Sequence, residues 1–247
     1  MTDRLLAVMP ADIPDAAFDA ARRVLVDAHG CALTGQDAPG IAPLKRQMLD
    51  WGGKPEARIL FTEERLPMPH AGLVNSALIH AFDFDDAFPH GTLHPSSVIV
   101  PAMLAAQDLA GGTDREALAA MILGVELAGR IAIAERNRRR SQGFLPTSLA
   151  GSFGAVLTAA RLLGSTREQT VNALGINYAQ ISGSRQALLD ASLTKRIQPG
   201  FAVRSALCSV ALARVGITGP RRVFEGDAGY FKDYMCGDIP PVEELLE

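Results

Sequence analysis

Residues 113–136 read TDREALAAMILGVELAGRIAIAER, and this stretch indicates the fold class. Its apolar side chains recur at i, i+3, i+4 and i+7, the spacing of a helix that packs one face against other helices. The residues that carry this pattern are Leu118, Met121, Ile122 and Val125. The stretch therefore predicts a long helix inside a helical protein.

Two helix starts can be placed from capping boxes, in which a hydroxyl residue and a glutamate three residues later bond each other's main-chain N–H groups. Thr113 and Glu116 have this spacing directly before the apolar pattern. Ser165 and Glu168 repeat it at the start of STREQTVNALGINYAQIS, directly after Gly164. We therefore expect helices to begin at Thr113 and at Ser165.

Helical spacing of apolar residues recurs along most of the chain, and runs of β-branched residues are few. Further helices are predicted at residues 15–33, 42–51, 70–82, 96–109, 147–163 and 201–215. Short connections rich in glycine and proline join them. The sequence thus predicts an all-α fold with one compact helical domain over residues 1–226. Residues 227–247 lose the helical period, and we expect a tail that leaves the core.

The composition is that of a globular protein, with 48% hydrophobic and 21% charged residues and a formal net charge of -3. No nucleic-acid partner is expected, because the chain lacks the basic excess that attracts phosphates. Three widely spaced cysteines favour a reducing compartment. We find no signal peptide, and apolar stretches such as residues 98–106 are too short to span a membrane. The protein is therefore expected to be cytoplasmic, with no membrane partner.

Residues 80–97, HAFDFDDAFPHGTLHPSS, hold three aspartates and three histidines. Asp83, Asp85 and Asp86 follow an apolar helix, whose C-terminal dipole disfavours negative charge, so these carboxylates should have partners. His94 precedes a proline that keeps it extended, which presents its imidazole just before the next predicted helix. The segment predicts either a functional site or a solvated helix end, and His94 favours the first.

Histidine and aspartate are also common metal ligands, so a metal site is an alternative interpretation of residues 80–97. The spacing matches no zinc pattern, and no matching cluster of cysteine or histidine follows in the chain. The sequence therefore predicts no metal.

A second unusual segment, residues 136–155, begins with arginines at positions 136, 138, 139 and 140 and continues through a glycine-containing loop into a helix. Such a run is typical of a solvated face. The alternative is that Thr147, Ser148 and the free N–H groups at the helix start bind a carboxylate, because the helix dipole favours an anion there.

In a third segment, Lys195, Arg196 and Arg204 flank Pro199 and Gly200, which we interpret as a turn before a helix. Three cations near a helix start can hold a di- or tricarboxylate. A basic surface turn is the alternative.

Ordered motifs in these segments resemble the MmgE/PrpD family, cofactor-free enzymes that include 2-methylcitrate dehydratase, cis-aconitate decarboxylase and iminodisuccinate epimerase. The motifs are HAFDFDD, HPSSVIVPA, GVELAGR, GF-x-PTS-x-x-GSFGA, TKR-x-x-PGFA-x-R and GITGP-x-x-x-FEG, and the resemblance covers residues 16–226. It implies a helical domain that binds substrate, a homodimer through that domain, no cofactor, and active-site positions at Asp83, His94 and Lys195.

The sequence departs from that family in two ways. Dehydratases and decarboxylases of the family commonly carry histidine at the positions of Leu145 and Gln198, and leucine cannot transfer a proton. Family chains are also much longer, with an α+β lid domain after the FEG motif. We expect residues 227–247 to lead toward such a domain. A second polypeptide would supply it, and the alternatives are a protein that works without a lid and a remnant of a longer one.

The expected function is that of a lyase, of the hydro-lyase or decarboxylase type, that removes a proton next to a carboxylate of a citrate-like or methylcitrate-like acid. His94 would act as the base, Asp83 would orient it, and Lys195 would hold the carboxylate. Further predicted site residues are the substrate contacts Asp85, Asp86, Thr147, Arg196 and Arg204 and the candidate acid His90. A dicarboxylate isomerase or epimerase and a non-catalytic helical subunit are the alternatives.

Overall fold

The computed structural model describes residues 2–136, 143–238, 240 and 241, and most of them are helical. The helices are α1 (Thr2–Ala7), α2 (Asp15–Gly35), α3 (Ile41–Trp51), α4 (Met68–Ile79), α5 (Ser96–Ala110), α6 (Asp114–Arg136), α7 (Pro146–Leu162), α8 (Arg167–Tyr178), α9 (Gln186–Leu189), α10 (Thr194–Arg214) and α11 (Tyr230–Tyr234). Two short antiparallel strands, β1 (Ala57–Arg58) and β2 (Arg65–Leu66), lie between α3 and α4. The predicted all-α fold class is confirmed.

The first predicted capping box is present, and the second lies one residue later than predicted. The N–H of Thr113 donates to Glu116 Oε2 at 2.8 Å, and the N–H of Glu116 donates to Thr113 Oγ1 at 3.3 Å. Before α8 the same pair of bonds joins Thr166 and Gln169. The box predicted at Ser165 was wrong because two adjacent hydroxyl residues allow two registers. Gln169 also bonds the end of α10, which favours the register that forms.

α6 is buried on more than its predicted face. Leu118 and Met121 are buried, but Ile122 and Val125 are only half-buried, and residues on other sides of the helix are buried too. The 22 residues Asp114–Glu135 are long and apolar enough to cross a membrane, which the sequence analysis overlooked. In this protein 72% of the apolar window is buried, as in the central helix of a helical core.

α10 begins earlier than predicted. It starts at Thr194 and continues through Pro199, so the expected Pro-Gly turn before a helix at residue 201 does not form. Pro199 is the sixth residue of α10, so the helix lacks the N–H that would otherwise bond the main-chain oxygen of Lys195. Lys195 consequently lies in the first turn of α10, whereas Arg204 lies about 13 Å further along the axis. The three cations do not converge.

Glycines let α4 and α10 pack at close range. A Cβ on Gly72 would lie 2.7 Å from side-chain atoms of both Val203 and Leu207. A Cβ on Gly200 would lie 2.7 Å from the main-chain oxygen of Leu73. Later positions on α4 therefore contact earlier positions on α10, so the two helices are antiparallel. The C-terminal end of α4 thus meets the N-terminal end of α10.

The segment after residue 226 packs against the core. Tyr230 and Met235 have no exposed surface, and Phe231 is 1% exposed. The prediction that this segment leaves the core is wrong here, because its aromatic residues lie in a helix of only five residues, too short for its period to be recognised. Residues 242–247 lie outside those that the structure describes.

Candidate active site

The candidate residues of the first segment lie in the loop between α4 and α5. Asp83 has φ 62°, a left-handed main-chain conformation that aspartate adopts more readily than most residues. Its carboxylate contacts the start of α10. Main-chain strain of this kind is common where a side chain must be held in one place for function.

Asp83 and Lys195, two of the three predicted catalytic residues, are in direct contact. The ammonium nitrogen Nζ of Lys195 lies 2.5 Å from Asp83 Oδ1. The same oxygen lies 3.8 Å from Nε2 of His94, the third predicted residue. The structure thus brings all three together around one carboxylate oxygen, although Asp83 and Lys195 are 112 residues apart in sequence.

His80 belongs to the same cluster, although its sequence position did not mark it as a candidate site residue. Its Nε2 atom lies 2.9 Å from Lys195 Nζ, and its Nδ1 atom lies 3.0 Å from both carboxylate oxygens of Asp85. His80 is 3% exposed, and the Asp85 side chain is fully buried. The signal was its place three residues before Asp83, but a histidine at the end of an apolar helix more often packs in a core.

His94 is oriented by contacts with the main chain and with Thr147. Its Nδ1 atom lies 3.3 Å from the carbonyl oxygen of Asp85, and its own N–H donates to Thr147 Oγ1 at 3.0 Å. A carbonyl oxygen only accepts, so Nδ1 carries a proton, and in the neutral ring Nε2 keeps a lone pair on the side of Asp83. Thr147 therefore holds His94 in place, and its contact with substrate stays a prediction. The expected orientation of His94 by Asp83 is absent, since 3.8 Å exceeds a hydrogen bond.

A pocket of about 330 Å³ opens beside this cluster. Its polar lining consists of His80, Asp83, Ser192, Lys195 and Arg196. The remaining lining is apolar and comes from α9 and from the loop that follows α4. The predicted residues Asp83, Lys195 and Arg196 thus line one hollow. His94 is not among the lining residues, and its Nε2 atom lies 3.8 Å from Asp83 Oδ1.

The pocket carries positive charge that no carboxylate fully balances. Arg196 donates to the main-chain oxygen of Pro39 at 2.6 Å, and among the described residues no carboxylate lies within 4 Å of its guanidinium. Lys195 and Arg196 both lie in the first turn of α10, where the helix dipole disfavours cations. An anion in the pocket would relieve both effects. The site therefore suits an organic anion.

Asp85 and Asp86, which were predicted to contact substrate, are not among the residues that line this pocket. Asp85 is occupied by His80. Asp86 Oδ1 accepts the N–H of Ser96, the first residue of α5, at 2.9 Å. Burial raises the pKa of the Asp86 carboxyl above its ordinary value, and its bonds with Ser96 offset this only in part. The first N–H groups of a helix need acceptors from outside the helix. Asp86 provides one of them and so stabilises the start of α5.

Two other candidates lie away from the pocket. His90 is exposed, and its ring contacts Phe88 at a centroid distance of 5.7 Å. Arg204 lies over the ring of Phe201 at 5.4 Å, too far along α10 to share an anion with Lys195. The arginines at 138, 139 and 140 lie outside the described residues, as does the side chain at 136.

His80, Asp83 and Asp85 also offer three metal-ligand atoms within 4.8 Å of one another. Sequence spacing alone gave no sign of this grouping. The ammonium group of Lys195 bonds two of the three residues, at 2.9 Å from His80 Nε2 and 2.5 Å from Asp83 Oδ1. A cation of the protein itself therefore occupies this position, and a metal ion would have to displace it.

Leu145 and Gln198, at the two positions that differ from the family pattern, contact the same stretch of chain. The N–H of Leu145 donates to the Gly183 oxygen at 2.8 Å, and Gln198 Nε2 donates to the Ser184 oxygen at 2.8 Å. Neither side chain has a group that exchanges protons near neutral pH. Proton transfer at this site would therefore fall to the histidines and the lysine of the cluster.

The environment of Asp83 favours its ionised form. Burial alone would raise the pKa of this carboxyl, but the hydrogen bond from Lys195 and the positive charge of that ammonium group hold it below the ordinary value of 3.8. The side chain is nevertheless 49% exposed. Asp83 is therefore negative at neutral pH and can hold the Lys195 ammonium group.

Fold and site together define a helical domain with an acid–base cluster beside a pocket suited to an organic anion. The model of the MmgE/PrpD N-terminal domain matches residues 2–242. The chain belongs to the MmgE/PrpD family.

Several curated proteins are similar to this chain. The cis-aconitate decarboxylase-like protein of Aspergillus oryzae is 28% identical over 230 residues, which is 90% of this chain and 48% of that protein. Human cis-aconitate decarboxylase is 30% identical over 188 residues, 72% of this chain and 38% of that protein. The 2-methylcitrate dehydratase of Cupriavidus necator is 28% identical over 247 residues, which is 91% of this chain and 48% of that protein. The chain thus spans about half the length, or less, of these relatives.

Proposed function

We propose that this domain belongs to a cofactor-free lyase, of the dehydratase or decarboxylase type, that acts on a citrate-like or methylcitrate-like acid. The relatives carry these two activities in their names. The single observation that carries the proposal is the meeting of Lys195, Asp83 and His94 beside a pocket of about 330 Å³. That volume lies in the range of small-molecule sites, about 300–1,000 Å³.

The two cations of the α10 start bind the substrate's carboxylates. Two of the three N–H groups of Lys195 bond His80 and Asp83, which leaves one for a ligand. Arg196 adds a charge with no carboxylate nearby in the described part of the chain. Positive charge fixed beside a carboxylate also stabilises the negative charge that develops when the neighbouring carbon loses a proton.

His94 is the base in this proposal. Its Nε2 lone pair lies on the side of the cluster, because Nδ1 donates to the Asp85 carbonyl oxygen. In a dehydration, His94 takes the proton, the electron pair of the C–H bond forms the double bond, and the hydroxyl leaves with a proton from an acid. Lys195 lines the pocket and is placed to be that acid, whereas the exposed His90 ring packs on Phe88 and not on the cluster.

Residues outside this chain's 247 complete the site. Asp83 is half exposed, and the exposed fractions of Phe84 and Leu188 are 75% and 44%. Removal of a proton from carbon is favoured where bulk water is excluded, so an open site of this kind needs a cover. The cover would be an α+β lid domain, carried on a second polypeptide or on a longer form of this one.

An isomerase or epimerase of a dicarboxylate is the second candidate, and Leu145 and Gln198 favour it. Moving a proton at a carbon next to a carboxylate needs one or two bases and no acid for a leaving group. The cluster of His94 and Lys195 could supply both partners without the histidines common in the family.

The test is to incubate the protein with 2-methylcitrate and with cis-aconitate, alone and mixed with the product of the adjoining reading frame. Alkene absorbance and proton NMR of the products would follow elimination and decarboxylation. Solvent deuterium that enters an otherwise unchanged dicarboxylate would instead indicate the isomerase. If no turnover appears in any mixture, the lyase proposal fails.

A matched pair of variants links turnover to the site. His94→Gln should lower kcat by about 10²–10⁴-fold, the usual contribution of one proton-transferring group. His90→Gln makes the same change at an exposed position outside the pocket and should leave kcat unaltered. If both variants keep wild-type activity in a working complex, the domain is a non-catalytic subunit.

A further inference from the structure

A buried aspartate and a buried histidine lie behind Lys195, and the proposed chemistry does not use either. Asp85 bonds His80 Nδ1, and His80 Nε2 bonds the Lys195 ammonium group. We infer that His80 is a positioning residue, which holds Lys195 against the pocket through Nε2, while Asp85 keeps Nε2 free to accept. The catalytic consequence rests on the proposed function, but the geometry can be tested without a substrate.

The Asp85 carboxylate determines which nitrogen of His80 carries the proton. Both of its oxygens lie 3.0 Å from Nδ1, and an ionised carboxylate only accepts hydrogen bonds. Nδ1 is therefore protonated. A second proton on Nε2 would point at the ammonium group of Lys195, 2.9 Å away, and the two would repel each other. The neutral ring with its lone pair on Nε2 fits both distances. Asp83 Oδ1 also lies 3.4 Å from Nε2, and the Lys195 ammonium group, which bonds both atoms, offsets the repulsion between them.

His80 is better shielded from water than Asp83 is, so it is the more protected of the two acceptors for Lys195. Water reaches Asp83, whose side chain is 49% exposed, so solvent competes for its bond with the ammonium group. His80 is only 3% exposed, and its bond is protected from that competition. Lysine has a long, flexible side chain, so one protected acceptor and one charged acceptor together define where its third N–H points.

Two conservative substitutions of His80 distinguish the proposed role, which is to accept a hydrogen bond from Lys195, from the alternative role of donating one to Asp85. The glutamine amide reaches about as far as histidine Nε2, so His80→Gln can keep an acceptor for Lys195. The shorter asparagine amide lies near Nδ1, so His80→Asn can keep a donor for Asp85 but loses the acceptor for Lys195. If His80 positions Lys195, His80→Gln should be the milder change. If His80 only donates to Asp85, His80→Asn should be the milder change.

The ammonium protons of Lys195 give a readout that needs no activity. The chain has four lysines, Lys45, Lys54, Lys195 and Lys232. In protein labelled with nitrogen-15 lysine, the signal lost in Lys195→Arg identifies Lys195. Its hydrogen exchange with water should be slow in wild type and in His80→Gln. In His80→Asn it should be at least about tenfold faster, as expected for loss of one hydrogen bond to a charged group.

Three results would overturn the inference: no slowly exchanging Lys195 signal in wild type, unchanged exchange in His80→Asn, or equal acceleration in both variants. If His80→Asn does not fold, nitrogen-15 NMR of histidine-labelled wild-type protein tests the inference, because it shows which ring nitrogen of His80 carries the proton. Its two nitrogen-15 signals, assigned by their loss in His80→Gln, should mark Nδ1 as protonated and Nε2 as free. A proton on Nε2 would contradict the inference.

If the proposed lyase or isomerase activity is found, kcat/KM of the His80 variants provides a second test. His80→Asn should lower kcat/KM by about 10- to 100-fold, and His80→Gln should restore most of it. The exposed control, His90→Asn, should match wild type. If no activity is found for wild type, the proposed function fails while the exchange measurements still decide the role of His80.

Discussion

Gly200 on α10 lies directly against the main-chain oxygen of Leu73 on α4, so close that a Cβ built on it would be 2.7 Å from that oxygen. This contact sets the distance and register of the two antiparallel helices. His80 follows the end of α4 and Lys195 lies in the first turn of α10, so the same register brings the two side chains to 2.9 Å. A packing contact in the core thus positions the candidate site.

Gly200→Ala should therefore damage both stability and site. Alanine is the better helix former by about 1 kcal/mol, but its methyl group would force α10 away from α4. The net loss in the free energy of unfolding should be about 1–3 kcal/mol, measured by urea denaturation. Gly30→Ala on α2 is the control, because nothing lies within 4 Å of its Cβ position, and it should stabilise the protein. Equal effects of the two variants would contradict the packing argument.

Asp86 should stabilise the folded protein through its acceptor oxygen and not through its negative charge. Asp86→Asn keeps an oxygen for the Ser96 N–H, so it should be at least as stable as wild type at pH 7. Asp86→Ala loses that acceptor and should be about 1 kcal/mol less stable. Because the folded-state pKa of Asp86 is raised by burial, wild type should lose stability relative to Asp86→Asn as pH rises above 3.8. Thermal unfolding of the three proteins from pH 4 to pH 7 checks both expectations.

Asp83 should show the opposite pH dependence. The folded-state pKa of Asp83 lies below the ordinary 3.8. The ionised carboxylate therefore adds its full stabilisation of the folded state above pH 3.8, and this stabilisation is lost as the pH falls through the lowered pKa. The stability gap between wild type and Asp83→Asn should therefore be present at pH 6 and shrink below about pH 4. Asparagine also tolerates the left-handed conformation at this position, so the main chain need not move. A gap that widens in acid would show that the pKa is not lowered.

Sequence patterns predicted the fold better than the site. Apolar periodicity is a local signal, so it identified α6 and most other long helices with errors of a few residues at their ends. Lys195 was also selected from the sequence, because its motif resembles a known family, and the structure places it in contact with Asp83. His80 was missed because its importance depends on Asp85 and Lys195, and only the packing of α4 on α10 brings Lys195 to it. The start of α10 was misplaced because a Pro-Gly pair usually marks a helix boundary, whereas this helix continues through Pro199.

The segment 227–235 should be part of the stable core, contrary to what its sequence suggested. Phe231 is 1% exposed and packs on Tyr230 at a centroid distance of 5.4 Å, so truncating it leaves a cavity. Phe231→Ala should lower the free energy of unfolding by about 3–5 kcal/mol, measured by urea denaturation. The neighbouring exposed Lys232→Ala should change it by less than about 0.5 kcal/mol, as surface substitutions do. If Phe231→Ala behaves like its exposed neighbour, the segment does not pack on the core in solution.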